Sequence, residues 1–167
     1  MKKIFKKLLH ISLILLIAFS FPTLVKASEI ANSISSIGYD VPFIPGQEII
    51  VYDDGLQIKI VDGVSLQRNG MLATRTFHVG TGSFSSYGTV TVNAFGFRGF
   101  DNRGNRVIFI NNTTTSVAPT NGSGLRVTNV RIGGNGTTMG IVSTDVTFRQ
   151  AGLFNIGNRT FNLTIGA

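Results

Sequence analysis

The sequence predicts an all-β domain: a single antiparallel β-sandwich of about eight short strands, with a small β-barrel as the alternative. Three observations carry that prediction. From Gln47 to the C-terminus, β-branched and aromatic residues alternate with polar ones. Clusters of Gly, Asn and Asp break the alternation into short runs. After residue 46 no stretch repeats its apolar residues at the three-to-four spacing of a long helix.

The chain begins differently. Lys2, Lys3, Lys6 and Lys7 precede an apolar run from Ile11 to Phe19, relieved only by Ser12, and Val25-Lys26-Ala27 follows. These are the basic, apolar and cleavage regions of a secretory signal peptide in order. Residues 1–27 are therefore expected to be a leader cut between Ala27 and Ser28. The apolar run is shorter than the ~20 residues that span a bilayer. Residues 28–46 read as an N-terminal arm, since Ile30, Ile34 and Ile37 hold helical spacing but Pro42 and Pro45 end any helix. Residues 47–167 form the β-domain.

Its clearest unit is Glu48 to Asp62, where Asp54-Gly55 supplies the two positive-φ positions of a tight hairpin. If Asp53 pairs with Leu56, Val51 faces Ile58 and Ile49 faces Ile60, so all four share an apolar face. Further strands are expected near Leu72–Val79, Gly88–Phe97, Arg106–Asn111, Leu125–Ile132 and Met139–Arg149. Val107 to Ile110 is apolar throughout and should be covered on both sides. Val142, Thr144, Val146 and Phe148 alternate with polar residues, as a half-wet strand requires.

Alternation slips near Ala94: Val90, Val92 and Ala94 share one parity, but Phe95 and Phe97 take the other. Gly96 and Gly99 suit a bulge or a corner here that re-aims the strand, and the phenylalanines are expected in the core. At the C-terminus, Leu153–Ile156 and Arg159–Ile165 read as a hairpin around Gly157-Asn158, with Phe154 opposite Phe161.

Charge excludes some functions. Of fifteen Lys and Arg, five lie in the leader, leaving ten against eight acids. A balance this mild argues against a nucleic-acid partner. The charges are nonetheless segregated: Glu29, Asp40, Glu48, Asp53, Asp54 and Asp62 precede Gly63 with Lys59 alone, while nine Arg follow it with only Asp101 and Asp145. An acidic N-terminal part can thus meet a basic C-terminal part, within one molecule or between two, although scattered surface charge is the plainer reading. Without cysteine there are neither disulfides nor a lipid-attachment thiol.

Catalytic constellations are sparse. His78 is the one histidine after the leader, and although Ser65, Ser83, Ser85, Ser86, Ser123 and Ser143 are available, no Gly-x-Ser-x-Gly elbow occurs. Asp53 and Asp54 are better explained by the turn than as paired catalytic acids. Asp101-Asn102-Arg103-Gly104-Asn105 is superficially like a calcium loop, but its third position is Arg and it lacks a closing Glu. Asp101 and Asn102 are the metal candidate, and no cofactor is expected. Neither Gly80-Thr81-Gly82-Ser83 nor Gly133-Gly134-Asn135-Gly136 opens a helix, so neither makes a phosphate cradle.

What remains is recognition. Loops rich in Gly, Asn, Ser and Thr on a rigid sheet suit a non-enzymatic binding or structural module at the cell surface or matrix. Arg98, Arg103 and Arg106 surround one loop and are the candidate binding residues, for an anionic cell-wall or capsule polymer or a protein partner. The membrane would be met only by the leader during export. An alternative is a self-assembling or membrane-active secreted β-protein of the toxin or bacteriocin kind, because the mature chain has a single lysine to guard its strand edges. A small hydrolase ranks third. The layout, over the whole chain but without a specific motif, resembles small secreted β-proteins of Gram-positive bacteria. That resemblance implies release, or non-covalent retention at the envelope, and no particular function.

Overall fold

The computed structural model describes residues 35–63, 70–81, 85–120, 122–150 and 153–167. The expected leader, its Ala27–Ser28 bond and the arm before Ser35 lie outside these residues, as do Ser65 and Ser83. Among the described residues there are nine strands: β1 (Ser35–Ile37), β2 (Glu48–Asp53), β3 (Leu56–Asp62), β4 (Met71–Thr81), β5 (Ser85–Phe100), β6 (Arg106–Pro119), β7 (Ser123–Gly133), β8 (Met139–Gln150) and β9 (Leu153–Gly166). They make two sheets, ordered β2-β3-β4-β5-β6 and β1-β9-β8-β7, which is the sandwich the alternation predicts. Several strands are longer than expected. β5 alone runs 16 residues.

The β2–β3 hairpin has the predicted register, with Asp53 opposite Leu56, Val51 opposite Ile58 and Ile49 opposite Ile60. Asp54 at φ 44° and Gly55 at φ 78° make the tight turn. From β3 onward the inward residues are fully buried: Ile58, Ile60, Phe77, Val79, Val90 and Val92 on the larger sheet meet Val142, Val146, Phe148, Phe161 and Leu163 on the smaller one. Phe161 joins the layers, with its ring 4.9 Å edge-on from Phe77 and 5.8 Å from Phe148.

The expected C-terminal hairpin does not form. Leu153 to Gly166 is one strand laid against β8, with Gly157 opposite Phe148 and Phe161 opposite Thr144. Gly157, at φ 105°, sits beside register shifts at Phe148/Arg149 and Arg149/Gln150. The glycine therefore serves a bulge in a long ladder rather than a turn. An uninterrupted ladder keeps more backbone groups paired than two short strands would.

A second departure is at the arm, where β1 pairs with β9 in parallel, Ile37 opposite Phe161. The chain then crosses the sandwich edge, and Pro42 bridges to Thr164. Polar side chains on β9 secure this strap: Asn162 Nδ2 donates to Ser36 Oγ at 2.8 Å, and Thr164 Oγ1 to the Tyr39 carbonyl at 2.9 Å.

The segregated charges meet inside the molecule. Arg75 on β4 pairs with Asp62 on β3, and Arg159 on β9 reaches across the layers to Asp53 at 2.8 Å and Asp54 at 3.2 Å. The Asp-Gly turn is thus held to the opposite sheet by the residues that shape it.

Candidate functional site

The β5–β6 hairpin carries Arg98, Arg103 and Arg106, and one backbone irregularity shapes its tip. The ladder slips between Phe95 and Gly96, where the bulge was predicted, but the extra residue is Asn111 on β6 rather than one on β5. A Cβ at Gly96 would lie 1.8 Å from the Phe109 carbonyl oxygen, so only glycine lets the two strands approach this closely.

β5 itself inserts no residue, so its two-residue alternation runs on past Gly96, and here the core expectation for the phenylalanines fails. Phe95 is half-buried, while Phe97 and Phe100 are 51% and 69% exposed. The inward side of this stretch goes to Ile108 and Ile110, which are buried. Phe97 instead lies almost parallel to Phe109, with centroids 4.9 Å apart and planes at 24°. Val107, Ile108 and Ile110 are buried and Phe109 is partly covered, so this run is shielded on both faces as expected.

The turn beyond Phe100 is closed by its own carboxylate. Asp101 Oδ1 accepts the backbone amides of Arg103 and Asn105 at 2.8 Å each, and Oδ2 accepts Asn105 Nδ2 at 2.9 Å. The Asn105 side chain and backbone amide, with the Arg103 and Gly104 amides, hold the Asp101 carboxyl below its ordinary 3.8. Its oxygens are thus occupied by N–H donors, and Asn102 is an exposed turn residue. Among the described residues no group of three or more His, Asp or Glu is placed to hold a metal ion.

All three tip arginines are exposed, and none pairs with a carboxylate among the described residues. Arg75, Arg131 and Arg159 contrast with them, each engaging an aspartate. Arg98 is steadied by donating Nε to the Gly166 carbonyl at 3.3 Å, which ties the hairpin to the last residues of β9. Beside it opens a cleft of about 300 Å³ lined by Gly70, Met71 and Leu72 on one side and Gly96, Phe97 and Arg98 on the other. Arg103 and Arg106 lie on the turn beyond it.

His78 is exposed on the outer face of β4, across from Lys59 and Thr89. Asp53 and Asp54 are engaged with Arg159. The cleft itself was not legible in the sequence, because it needs Met71 of β4 beside Phe97 of β5. The alternation slip at Phe95-Gly96-Phe97 was the one local signal for it.

The fold and site define a β-sandwich with an aromatic and cationic hairpin tip. No protein-family model, curated protein or solved structure matches the chain.

Proposed function

We propose that the protein is an exported, non-enzymatic binding module that grips an anionic polysaccharide of the cell envelope through the tip of its β5–β6 hairpin. The observation that carries this reading is that one hairpin tip presents Phe97 on one face and Phe100 on the other, both largely in water, together with three arginines that have no carboxylate partner among the described residues. A flat aromatic face accepts the apolar side of a sugar ring, and a guanidinium pairs with a carboxylate or phosphate through two parallel hydrogen bonds. The cleft beside Phe97 and Arg98 is near the lower end of the ~300–1,000 Å³ range of small-molecule pockets, enough for a sugar unit at a time.

Support also comes from the hairpin's rigidity. The bulge, the Asp101 turn and the Phe97–Phe109 stack pre-form the surface, so little ordering entropy opposes binding. Retention on immobilised polyglucuronate or teichoic acid tests the reading. Arg98→Gln, Arg103→Gln and Arg106→Gln together should weaken retention at least ~10-fold, with unchanged melting, because each exposed charge pair contributes on the order of 0.2–1 kcal/mol and the three act on one polymer. Retention that survives the triple replacement removes the proposal.

A second reading, membrane attack, is favoured by the exposed Phe100, which could enter the lipid headgroup region with the arginines at anionic phosphates. Dye release from anionic vesicles, abolished by Phe97→Ser with Phe100→Ser, would select it over polymer binding.

A further inference from the structure

The outer face of the smaller sheet has a second basic cleft, away from the hairpin tip. Ser123, at the start of β7, bonds the Tyr87 carbonyl and the Thr120 carbonyl, whereas the far end of β7 leads to Gly136, whose amide meets Ile108 beside the tip. Arg126, three residues into β7, is thus at the end of the sandwich remote from Arg98 and Phe97. It lies opposite Thr147, and Gly124 lies opposite Arg149. Gly124, Leu125, Arg126, Thr128, Thr147 and Arg149 together line a cleft of about 290 Å³.

One irregularity, on β7, shapes this cleft. On β7 the register shifts between Val127 and Asn129, making Thr128 the extra residue. This brings Thr128 to the same cleft as Arg126. On β8 the alternation is regular, and Thr147 and Arg149 share its outer face; the register shifts opposite Arg149 insert Ile156 and Phe154 on β9. A bulge re-aims side chains, and a regular ladder would not bring Thr128 of this edge strand beside Arg126. Gly124 leaves the space open, since a Cβ there would stand 3.4 Å from the Arg149 Cβ.

The hydrogen-bond directions say what would fit. Thr147 donates its hydroxyl proton to Asn158 Oδ1 at 2.6 Å, and Thr128 donates to the Asp145 carbonyl at 3.2 Å. Each hydroxyl oxygen therefore has lone pairs left to accept from a ligand but no proton left to give. Arg126 and Arg149 pair with no carboxylate among the described residues, because the neighbouring Asp145 is taken by Arg131. Donation falls to the two guanidiniums and acceptance to the two threonines. We infer that Arg126 and Arg149 form a second binding site, for the oxyanion of a hydroxyl-bearing anion such as a sugar phosphate or sugar acid. The site stands on its own residues, independent of the tip.

Amide-resolved NMR titration of the protein with glucuronate, glucose 6-phosphate and neutral glucose tests it. Both anions should shift the amides of Gly124, Thr128 and Thr147 saturably, glucose at the same concentration should not, and Arg126→Gln with Arg149→Gln should weaken the anions at least ~10-fold. The triple glutamine replacement at Arg98, Arg103 and Arg106 should leave these shifts unchanged. Equal shifts with glucose, no saturable shift with either anion, or loss of the shifts in the tip variant alone would each overturn the proposal. A glucuronate response without a glucose 6-phosphate response, or the reverse, supports it and identifies the acid group.

Discussion

Arg75 and Asp62 face each other across the β3–β4 ladder inside the sandwich, Nε to Oδ1 at 2.6 Å and Nη2 to Oδ2 at 2.8 Å, with both side chains out of water. The remaining guanidinium hydrogens go to backbone: Nη1 reaches the carbonyls of Val41 at 2.9 Å and Asn162 at 3.2 Å, and Nη2 that of Pro42 at 3.2 Å. Asp62 Oδ2 also accepts the Ile44 amide at 2.9 Å. One buried ion pair thus fastens the arm, the larger sheet and β9 together. Every strong donor it buries is used, which is the condition under which a buried charge is tolerated.

Removing one partner should be severe. Arg75→Ala leaves Asp62 charged and buried and is expected to cost about 3–5 kcal/mol in urea denaturation. Arg75→Met combined with Asp62→Leu should lie closer to wild type than either single change, while residues 38–44 become cleavable by protease once their carbonyls lose the guanidinium. A double variant less stable than both singles would contradict this account.

Phenylalanines on the two sides of the fold should separate cleanly. Phe161→Ala opens a void between Phe77 and Phe148 and should cost about 3–5 kcal/mol. Phe100→Ser should change stability by no more than about 0.5 kcal/mol, because its ring is already in water. Its effect should appear in polymer retention alone.

Glycine is required at the bulge for a steric reason and at the tip turn for a conformational one. Gly96→Ala meets the Phe109 carbonyl at 1.8 Å and should cost more than about 2 kcal/mol, with loss of the Phe97–Phe109 stack. Gly104, at φ 81° with open space around it, should lose about 1 kcal/mol on replacement by Ala. Thermal melting of the two variants decides it. Equal losses would mean that the strands can part at the bulge.

Acid stability should depend in part on Asp145. Burial alone would raise its carboxyl, but hydrogen bonds from Arg131 and Thr160 outweigh that and hold it below its ordinary 3.8. A carboxyl depressed in the folded state contributes stability above the unfolded value, and that contribution fades as pH falls from 3.8 through the folded value. Asp145→Asn should therefore be less stable than wild type at neutral pH and show a flatter acid limb below 3.8. An unchanged acid limb in urea titrations from pH 6 to 2 would refute the assignment.

Where turn chemistry and alternation agreed, the sequence was legible to the residue: the β2–β3 register emerges as read, while the slip falls beside Gly96 but inserts its residue on β6. Gly157-Asn158 was misread because a positive-φ glycine serves a turn or a bulge equally well, and only the length of the β8 ladder opposite distinguishes them. Phe97 was misplaced for a related reason. The slip inserts Asn111 on β6 rather than a residue on β5, so Phe97 keeps the outward side of Phe95, and β5's own pattern does not say which strand takes the extra residue. Of the candidate site, the three arginines and their loop were visible beforehand, whereas the cleft beside Phe97 and the Arg126–Arg149 pair were not.

The sequence by itself determined what is local or periodic: a two-residue repeat that dictates strands, an Asp-Gly turn that sets one register, and the absence of cysteine, which leaves stability to packing and polar pairing. Tertiary structure alone decided which distant residues share a space, such as Arg75 with Asn162 at 87 residues' separation and Arg159 with Asp53 at 106. The physical reason is that alternation fixes which side of its strand a residue takes but not which strand lies beyond it. Contacts between sheets follow from strand order and ladder length, and these are settled only when both layers close on one core.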